Sequence, residues 1–167
     1  MTISLGKKFE DVVKRDWKKS IPGSFIYRLP DMQGGYAGLG GSNPCDMFMF
    51  VAEGICNNNR GKLFLVEIKE HKGNTIGWSA IRQYDKLITY IGLKDVYPGV
   101  LVWFSDHDKV IWVSAAEMKK MHDDGKKSIN IKMLSTGEYK LIEIPSQKKR
   151  TFLESDYSIL LREVLNE

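Results

Sequence analysis

Two carboxylates and a lysine carry the strongest chemical signal in this 167-residue chain. The segment Lys62-Leu63-Phe64-Leu65-Val66-Glu67-Ile68-Lys69 is rich in apolar and β-branched residues and reads as a strand. Side chains alternate across a strand, so Glu67 and Lys69 share a face with Leu65, their Cα atoms about 6.6 Å apart. Phe64, Val66 and Ile68 occupy the other face. An acid and an ammonium group at the end of an otherwise apolar strand break the burial pattern. A second apolar run, Asp46 to Ala52, precedes it across Asn57-Asn58-Asn59-Arg60-Gly61, whose residue types favour a turn. Paired as an antiparallel hairpin, the runs bring Asp46 opposite residues 67–69. Two carboxylates beside one lysine offer hard oxygen ligands suited to Mg²⁺ or Mn²⁺. A cation so held polarises a phosphate, while Lys69 orients water or neutralises developing charge. Asp46 and Glu67 are therefore expected as metal ligands, and Lys69 as their catalytic partner. Glu-x-Lys by itself is common on surface strands; the hairpin partner Asp46 is what sets this pair apart.

The elements that must position these groups can be read from periodicity. Residues 5–19 predict an amphipathic helix, with Leu5, Phe9, Val12, Val13 and Trp17 on one stripe and lysines opposite. Residues 24–29 predict a strand ending at Pro30. Five glycines between Gly34 and Gly41 predict a flexible loop. Residues 78–92 predict a second helix on the stripe Ile81, Tyr84, Ile88 and Ile91. Strands at Val100–Phe104 and Val110–Val113 flank the connector Ser105-Asp106-His107-Asp108. Ser114 suits an N-cap for a helix running to about Asp123, with Glu117 completing a capping box. A short strand near 138–144 and a helix near 155–166 follow. With no repeat and no linker, the pattern is a single α/β domain over 1–167, a mixed central β-sheet flanked by helices.

Composition narrows the class. Hydrophobic residues make up 43% and charged residues 28%, which argues against a disordered chain. No apolar run approaches the roughly 20 residues needed to cross a membrane. Lys7, Lys8, Glu10 and Asp11 interrupt any leader-like stretch, so a cytoplasmic location is expected. Cys45 and Cys56 form no CxxC pair and are expected as buried or bystander thiols. His71, His107 and His122 lack ligand spacing, and the glycine-rich loop is followed by no GK[ST], so it is not a phosphate loop. The net charge of +4 is modest, but it is clustered. Lys7, Lys8, Lys14, Arg15, Lys18 and Lys19 crowd the first helix; Lys119, Lys120, Lys126 and Lys127 form a second group, and Lys148, Lys149 and Arg150 a third. Such clusters either track a phosphate backbone or are solvated faces. Tyr27, Arg28, Tyr36 and Trp78 are candidates to stack on or clamp DNA near the acids.

Pro44-Cys45-Asp46…Glu67-Ile68-Lys69 resembles the PD-(D/E)xK nuclease signature. More specifically, the chain resembles the RecU-type Holliday junction resolvases, and the likeness covers most of the domain. It runs from Gly6-Lys7-Lys8-Phe9-Glu10 through the acid hairpin to Gly99-Val100-Leu101-Val102-Trp103-Phe104, Val110-Ile111-Trp112-Val113 and Gly125-Lys126-Lys127-Ser128-Ile129. The resemblance implies a restriction-endonuclease-like fold and a homodimer making paired nicks in four-way DNA junctions with Mg²⁺ or Mn²⁺. It implies Asp46 and Glu67 as metal ligands, Lys69 as catalytic lysine, and catalytic roles for Glu10 on the first helix and Gln83 on the next. Glu10 borders the apolar stripe at Val13 and Trp17, and Gln83 lines up with Ala80 and Leu87; solvated positions for both stay open. Lys7, Arg28, Tyr36, Lys72, Arg82, Lys126 and Lys127 are expected to contact DNA. Where the family has a Thr-rich segment before the first acid, this chain has Ser42-Asn43-Pro44-Cys45. In place of a stalk entering the junction it has only Gly34–Gly41. A nuclease of the same signature acting on other DNA, and a non-catalytic DNA-binding recombination accessory, are the alternative readings.

Overall fold

Helix α1 (Leu5–Ser20) forms where the apolar stripe predicts it. Ser4 caps it, its Oγ accepting from Lys7 N at 3.3 Å, and Lys18 and Lys19 sit in the last turn, where cations suit the helix dipole. Phe9, Val13 and Trp17, at i, i+4 and i+8, are 0–1% exposed, whereas Leu5, expected on the same stripe, is 41% exposed at the helix start. The computed structural model describes residues 4–30, 43–55, 60–150 and 152–165. The Gly34–Gly41 loop with Tyr36, residues 57–59 of the anticipated hairpin turn, and Cys56 lie outside these.

After α1 come β1 (Phe25–Arg28), β2 (Met47–Val51), β3 (Lys62–His71), β4 (Thr75–Gly77), α2 (Tyr84–Leu87), β5 (Val96–Phe104), β6 (Lys109–Ser114) and α3 (Ala115–Asp123). Then follow β7 (Ser128–Asn130), α4 (Met133–Thr136), β8 (Leu141–Ile144), β9 (Ser146–Lys148), β10 (Leu153–Ser155) and α5 (Ser158–Leu165). The central sheet has the order β1-β2-β3-β5-β6-β8. Only β3–β5 pairs parallel, with Glu67 beside Val100 and Lys69 beside Val102; the other four pairings are antiparallel. Two short ladders, β4–β7 and β9–β10, complete the strand set.

Each sheet face carries its own core. Phe64, Val66, Ile68, Leu101 and Trp112 pack with Phe9, Val13 and Trp17 of α1 and Leu160 of α5. Leu65, Val100, Val102, Ile111 and Val113 pack with Met118 and Met121 of α3 and with Leu87. The molecule is therefore a single α/β domain whose mixed sheet lies between helices, the expected class. Gly99 is required where β5 passes Trp112: a Cβ there would fall 2.6 Å from the indole and from Val113 O. No helix among the described residues is long and apolar enough to cross a membrane.

Residues 78–92 depart from expectation. In place of one helix there is a 3₁₀ turn at Trp78–Ala80, the single turn of α2, and another 3₁₀ turn at Ile88–Tyr90. Trp78 is tied at both ends of its residue, backbone N to Lys127 O at 3.5 Å and Nε1 to Lys126 O at 2.7 Å. Of the expected stripe only Ile81 is enclosed; Tyr84 and Ile88 are half-buried and Ile91 is 36% exposed, while Leu87, off that stripe, is buried. A segment with several β-branched residues has little intrinsic helicity to set against those ties. The strand near 138–144 narrows to β8, and β10 takes the start of the expected last helix.

One buried carboxylate is structural. Asp16 is wholly enclosed; its Oδ2 accepts from Ser155 N at 2.9 Å and its Oδ1 from Arg15 Nε at 2.7 Å, pinning α1 to β10. Asp16→Ala leaves that amide without its acceptor and should cost about 2–4 kcal/mol in urea unfolding. A loss below roughly 0.5 kcal/mol, the level of an ordinary surface substitution, would contradict this role.

Candidate active site

The backbone around β2 and β3 holds the two acids together. Asp46 N donates to Val66 O at 3.1 Å, and Asp46 O accepts from Leu29 N at 2.9 Å. The pairing of Met47 with Val66 puts Asp46 beside Glu67. Asp46 Oδ2 accepts from Ile68 N at 2.8 Å, so the carboxylate is oriented by the strand that bears the second acid. Glu67 is 0% exposed, on the sheet face bearing Leu65 and Val100. Lys69 Nζ lies 2.5 Å from Glu67 Oε1 as an ion pair, yet neither Glu67 oxygen has a donor in hydrogen-bonding geometry.

The electrostatics follow from that enclosure. Burial, reinforced by the Asp46 charge and opposed by Lys69, pushes the Glu67 carboxyl up to about 7. Cys45, adjacent in sequence, is also buried, and its thiol contacts Met47 O at 3.3 Å. Burial above all pushes this thiol up to about 12, so it stays neutral and is a packing group.

Such a site fits a divalent cation. Among the described residues no group of three or more carboxylate, imidazole or thiol side chains converges. Two carboxylates with the remaining positions filled by water and phosphate oxygens is a manner in which Mg²⁺ is held. Glu67 Oε2 supplies the independent sign: it is buried with no hydrogen-bond donor, while the Lys69 ion pair reaches Oε1, and a buried carboxylate oxygen left unsatisfied is costly.

The structure distributes the other expected residues around this centre. Glu10 comes from α1, on the sheet face opposite Glu67 and Lys69, and its Oε2 accepts from Arg28 Nε at 2.5 Å. Arg28, an expected DNA contact, is therefore also the partner of Glu10. Gln83 precedes α2; its backbone O accepts from Leu87 N at 2.9 Å and its Oε1 is buried without a donor. Leu87 packs with Leu65 and Cys45, and Lys86 Nζ donates to Asn43 O at 3.5 Å, so this segment leans on the approach to Asp46. Lys7, Lys72, Arg82 and Lys127 are exposed, and Lys126 pairs with Glu138 at 3.1 Å. Tyr36 lies outside the described residues. Trp78 is anchored within the fold, whereas Tyr27 is 50% exposed.

Two features were not anticipated from sequence. Lysines of the basic clusters have acidic neighbours: Lys119 with Asp123, Lys120 with Glu117, Lys148 with Asp108 and Lys149 with Glu154. The helical pairs were legible from their spacing, whereas Lys149 and Glu154 meet across the β9–β10 hairpin and Lys148 and Asp108 come from distant segments. Phe25 and Phe50 are also exposed with Tyr27, Phe25 on edge strand β1 and its register partner Phe50 on the neighbouring β2; alternation from Tyr27 would have identified Phe25.

No protein-family model and no curated protein matches the chain. Among solved structures, it is similar to Hjc of Archaeoglobus fulgidus, a Holliday junction resolvase from an archaeal hyperthermophile. That match has TM-score 0.44 and 17% identity, covering 67% of this chain and 78% of that one. The chain is also similar to a nuclease from a fusselovirus, with TM-score 0.40 and 12% identity, covering 93% of this chain and 86% of that one.

Proposed function

We propose that this chain is a metal-dependent endonuclease that hydrolyses phosphodiester bonds in branched DNA, four-way junctions foremost, and that it acts as a homodimer. The observation that carries the reading is Glu67: a fully buried carboxylate, donorless at both oxygens, between Asp46 and Lys69. The Lys69 ion pair reaches Oε1, and buried Oε2, without a donor, is left for a ligand. The RecU-type resemblance of the flanking motifs supports the branched substrate and the dimer, since two symmetric nicks call for a two-fold axis.

Asp46 and Glu67 would hold the cation, which supplies Lewis-acid polarisation of the phosphoryl oxygens when bound. Asp46 keeps its orientation through the Ile68 amide and so presents its other oxygen in a fixed direction. Lys69, drawn to Glu67, carries a positive charge beside the reacting phosphate and can orient the attacking water. Burial of Glu67 excludes bulk solvent from its side of the site, which strengthens each of these interactions.

A gel assay comparing a synthetic four-way junction, a linear duplex and single strands should show junction cleavage in Mg²⁺ or Mn²⁺ and none with EDTA. Full cutting in EDTA would sink the metal assignment, and equal cutting of linear duplex would sink the junction preference. Light scattering of the active protein should give twice the 19.1 kDa chain mass. An active species at the chain mass would refute the dimer.

A further inference from the structure

A cleft lined by cations and aromatic rings lies where the end of β3, the β5–β6 turn, the start of α1 and the β9–β10 hairpin meet. They enclose a cleft of about 290 Å³, lined by Lys72, Trp103, Lys148, Lys149, Arg150 and Phe152 among others. Lys72 and the 148–150 group are far apart in the chain and meet only through the fold. The acids lining the cleft are already committed: Asp106 accepts from Gly73 N at 2.8 Å, and Asp108 pairs with Lys148 at 2.6 Å. Lys149 is held by Glu154 at 3.3 Å. Lys72 and Arg150 have no acidic partner among the described residues, so the cleft retains a positive balance.

Aromatic surface is interleaved with these cations. Phe152 is 42% exposed even with the Arg15 guanidinium 4.2 Å above its ring centroid. Trp103 is half-buried and braced by Phe9 at 5.4 Å. Basic side chains that hold phosphates, alternating with rings that accept base faces, form the recognition surface for single-stranded nucleic acid. Bases in an intact duplex are already stacked and cannot offer those faces. The cleft volume lies at the lower end for small-ligand sites, roughly 300 Å³, enough for a nucleotide-sized group and far too little for a duplex.

Its position connects it to the acids. Lys72 lies three residues beyond Lys69, roughly 10 Å of extended chain. Trp103 pairs with Glu70 across β3–β5 and faces the α1 side of the sheet. The cleft thus lies past the end of β3 on the sheet face opposite Lys69, and a strand joining the two must cross the end of β3. We infer that the cleft binds an unpaired, single-stranded stretch of DNA close to the cut, with phosphates at Lys72 and Arg150 and a base against Phe152. This rests on the nuclease reading and adds to it a binding site for unpaired nucleotides near the scissile bond.

The test is fluorescence anisotropy of the full chain in EDTA with labelled oligo-dT of roughly 12 nucleotides and, separately, a blunt hairpin duplex. Wild type is compared with the double variant Lys72→Ala/Arg150→Ala and with Phe152→Leu, all at exposed positions. Oligo-dT affinity should fall about tenfold in each variant, with hairpin binding falling far less in the double variant and unchanged in Phe152→Leu. In the double variant the salt dependence should also flatten, by about 0.7 per lost phosphate contact in the log–log slope. Phe152→Leu should leave that slope as in wild type. Unchanged oligo-dT binding, or equal losses for oligo-dT and duplex, overturns the inference. Junction cleavage by wild type in Mg²⁺ is scored in parallel: cleavage without selective oligo-dT loss removes this site alone, whereas selective loss without any cleavage removes the nuclease reading.

Discussion

Asp46→Asn should lower Mg²⁺-dependent cleavage of a four-way junction by roughly 10³-fold while junction affinity in EDTA holds or rises. The amide is nearly isosteric, and its oxygen can still accept from Ile68 N, so the strand pairing around it survives. What disappears is one of two negative charges facing the same point. Two close carboxylates repel each other, and a cation is what makes their joint ionisation tolerable. Removing one therefore weakens metal binding and lightens the negative field that DNA meets. Glu67→Gln should behave alike. Lys69→Ala should differ: cleavage is lost with metal still bound, because the ammonium acts on the substrate side and is not a ligand. Calorimetric metal titrations beside single-turnover cleavage separate the cases. An Asp46→Asn protein cutting junctions at the wild-type rate would place the chemistry elsewhere.

Metal-free protein should lose stability as pH rises through neutrality, and Glu67 is the expected cause. Its carboxyl is pushed from 4.5 up to about 7, chiefly by burial. Between those values the folded chain keeps a proton that the unfolded chain has released. The stabilisation is thus fully present below about 4.5 and is lost as pH climbs through about 7. If fully expressed, that difference is on the order of 3 kcal/mol. Urea unfolding in EDTA at pH 5 and pH 8 should show it as the difference between wild type and Glu67→Gln, which cannot titrate there. Mg²⁺ at pH 8 should restore stability to wild type more than to Glu67→Gln, since the cation binds the ionised pair. Parallel pH curves for the two proteins would show that Glu67 ionises in the folded state as it does in the unfolded one.

Much of the scaffold could be read locally. The stripe Phe9, Val13 and Trp17 is buried as its spacing requires, and Ser114 caps α3 with its Oγ accepting from Glu117 N at 3.2 Å. Helix periodicity and capping depend on residues within a turn of each other, so no tertiary information is needed. The hairpin was legible for a related reason: two apolar runs flank residues of turn-favouring type, and the antiparallel pairing of β2 with β3 places Asp46 beside Glu67. Alternation along β3 likewise put Glu67 and Lys69 on one face.

Residue types and spacings by themselves therefore determined the class of the fold and the placement of both acids and the lysine. Three things belonged to the tertiary structure. The parallel pairing of β3 with β5 depends on a crossover whose path no local signal specifies, and it is Val100 and Val102 from β5 that flank Glu67 and Lys69. Segment 78–92 gave up its helical continuity because Trp78 bonds to the carbonyls of Lys126 and Lys127, partners nearly fifty residues away. The charge state of Glu67 depends on how completely it is enclosed and on the absence of donors, which only the packed faces reveal. Local hydrogen bonds and periodicity act over a few residues and are written in the order of the chain; desolvation and cleft formation arise from contacts between distant segments, which exist only once the sheet has closed.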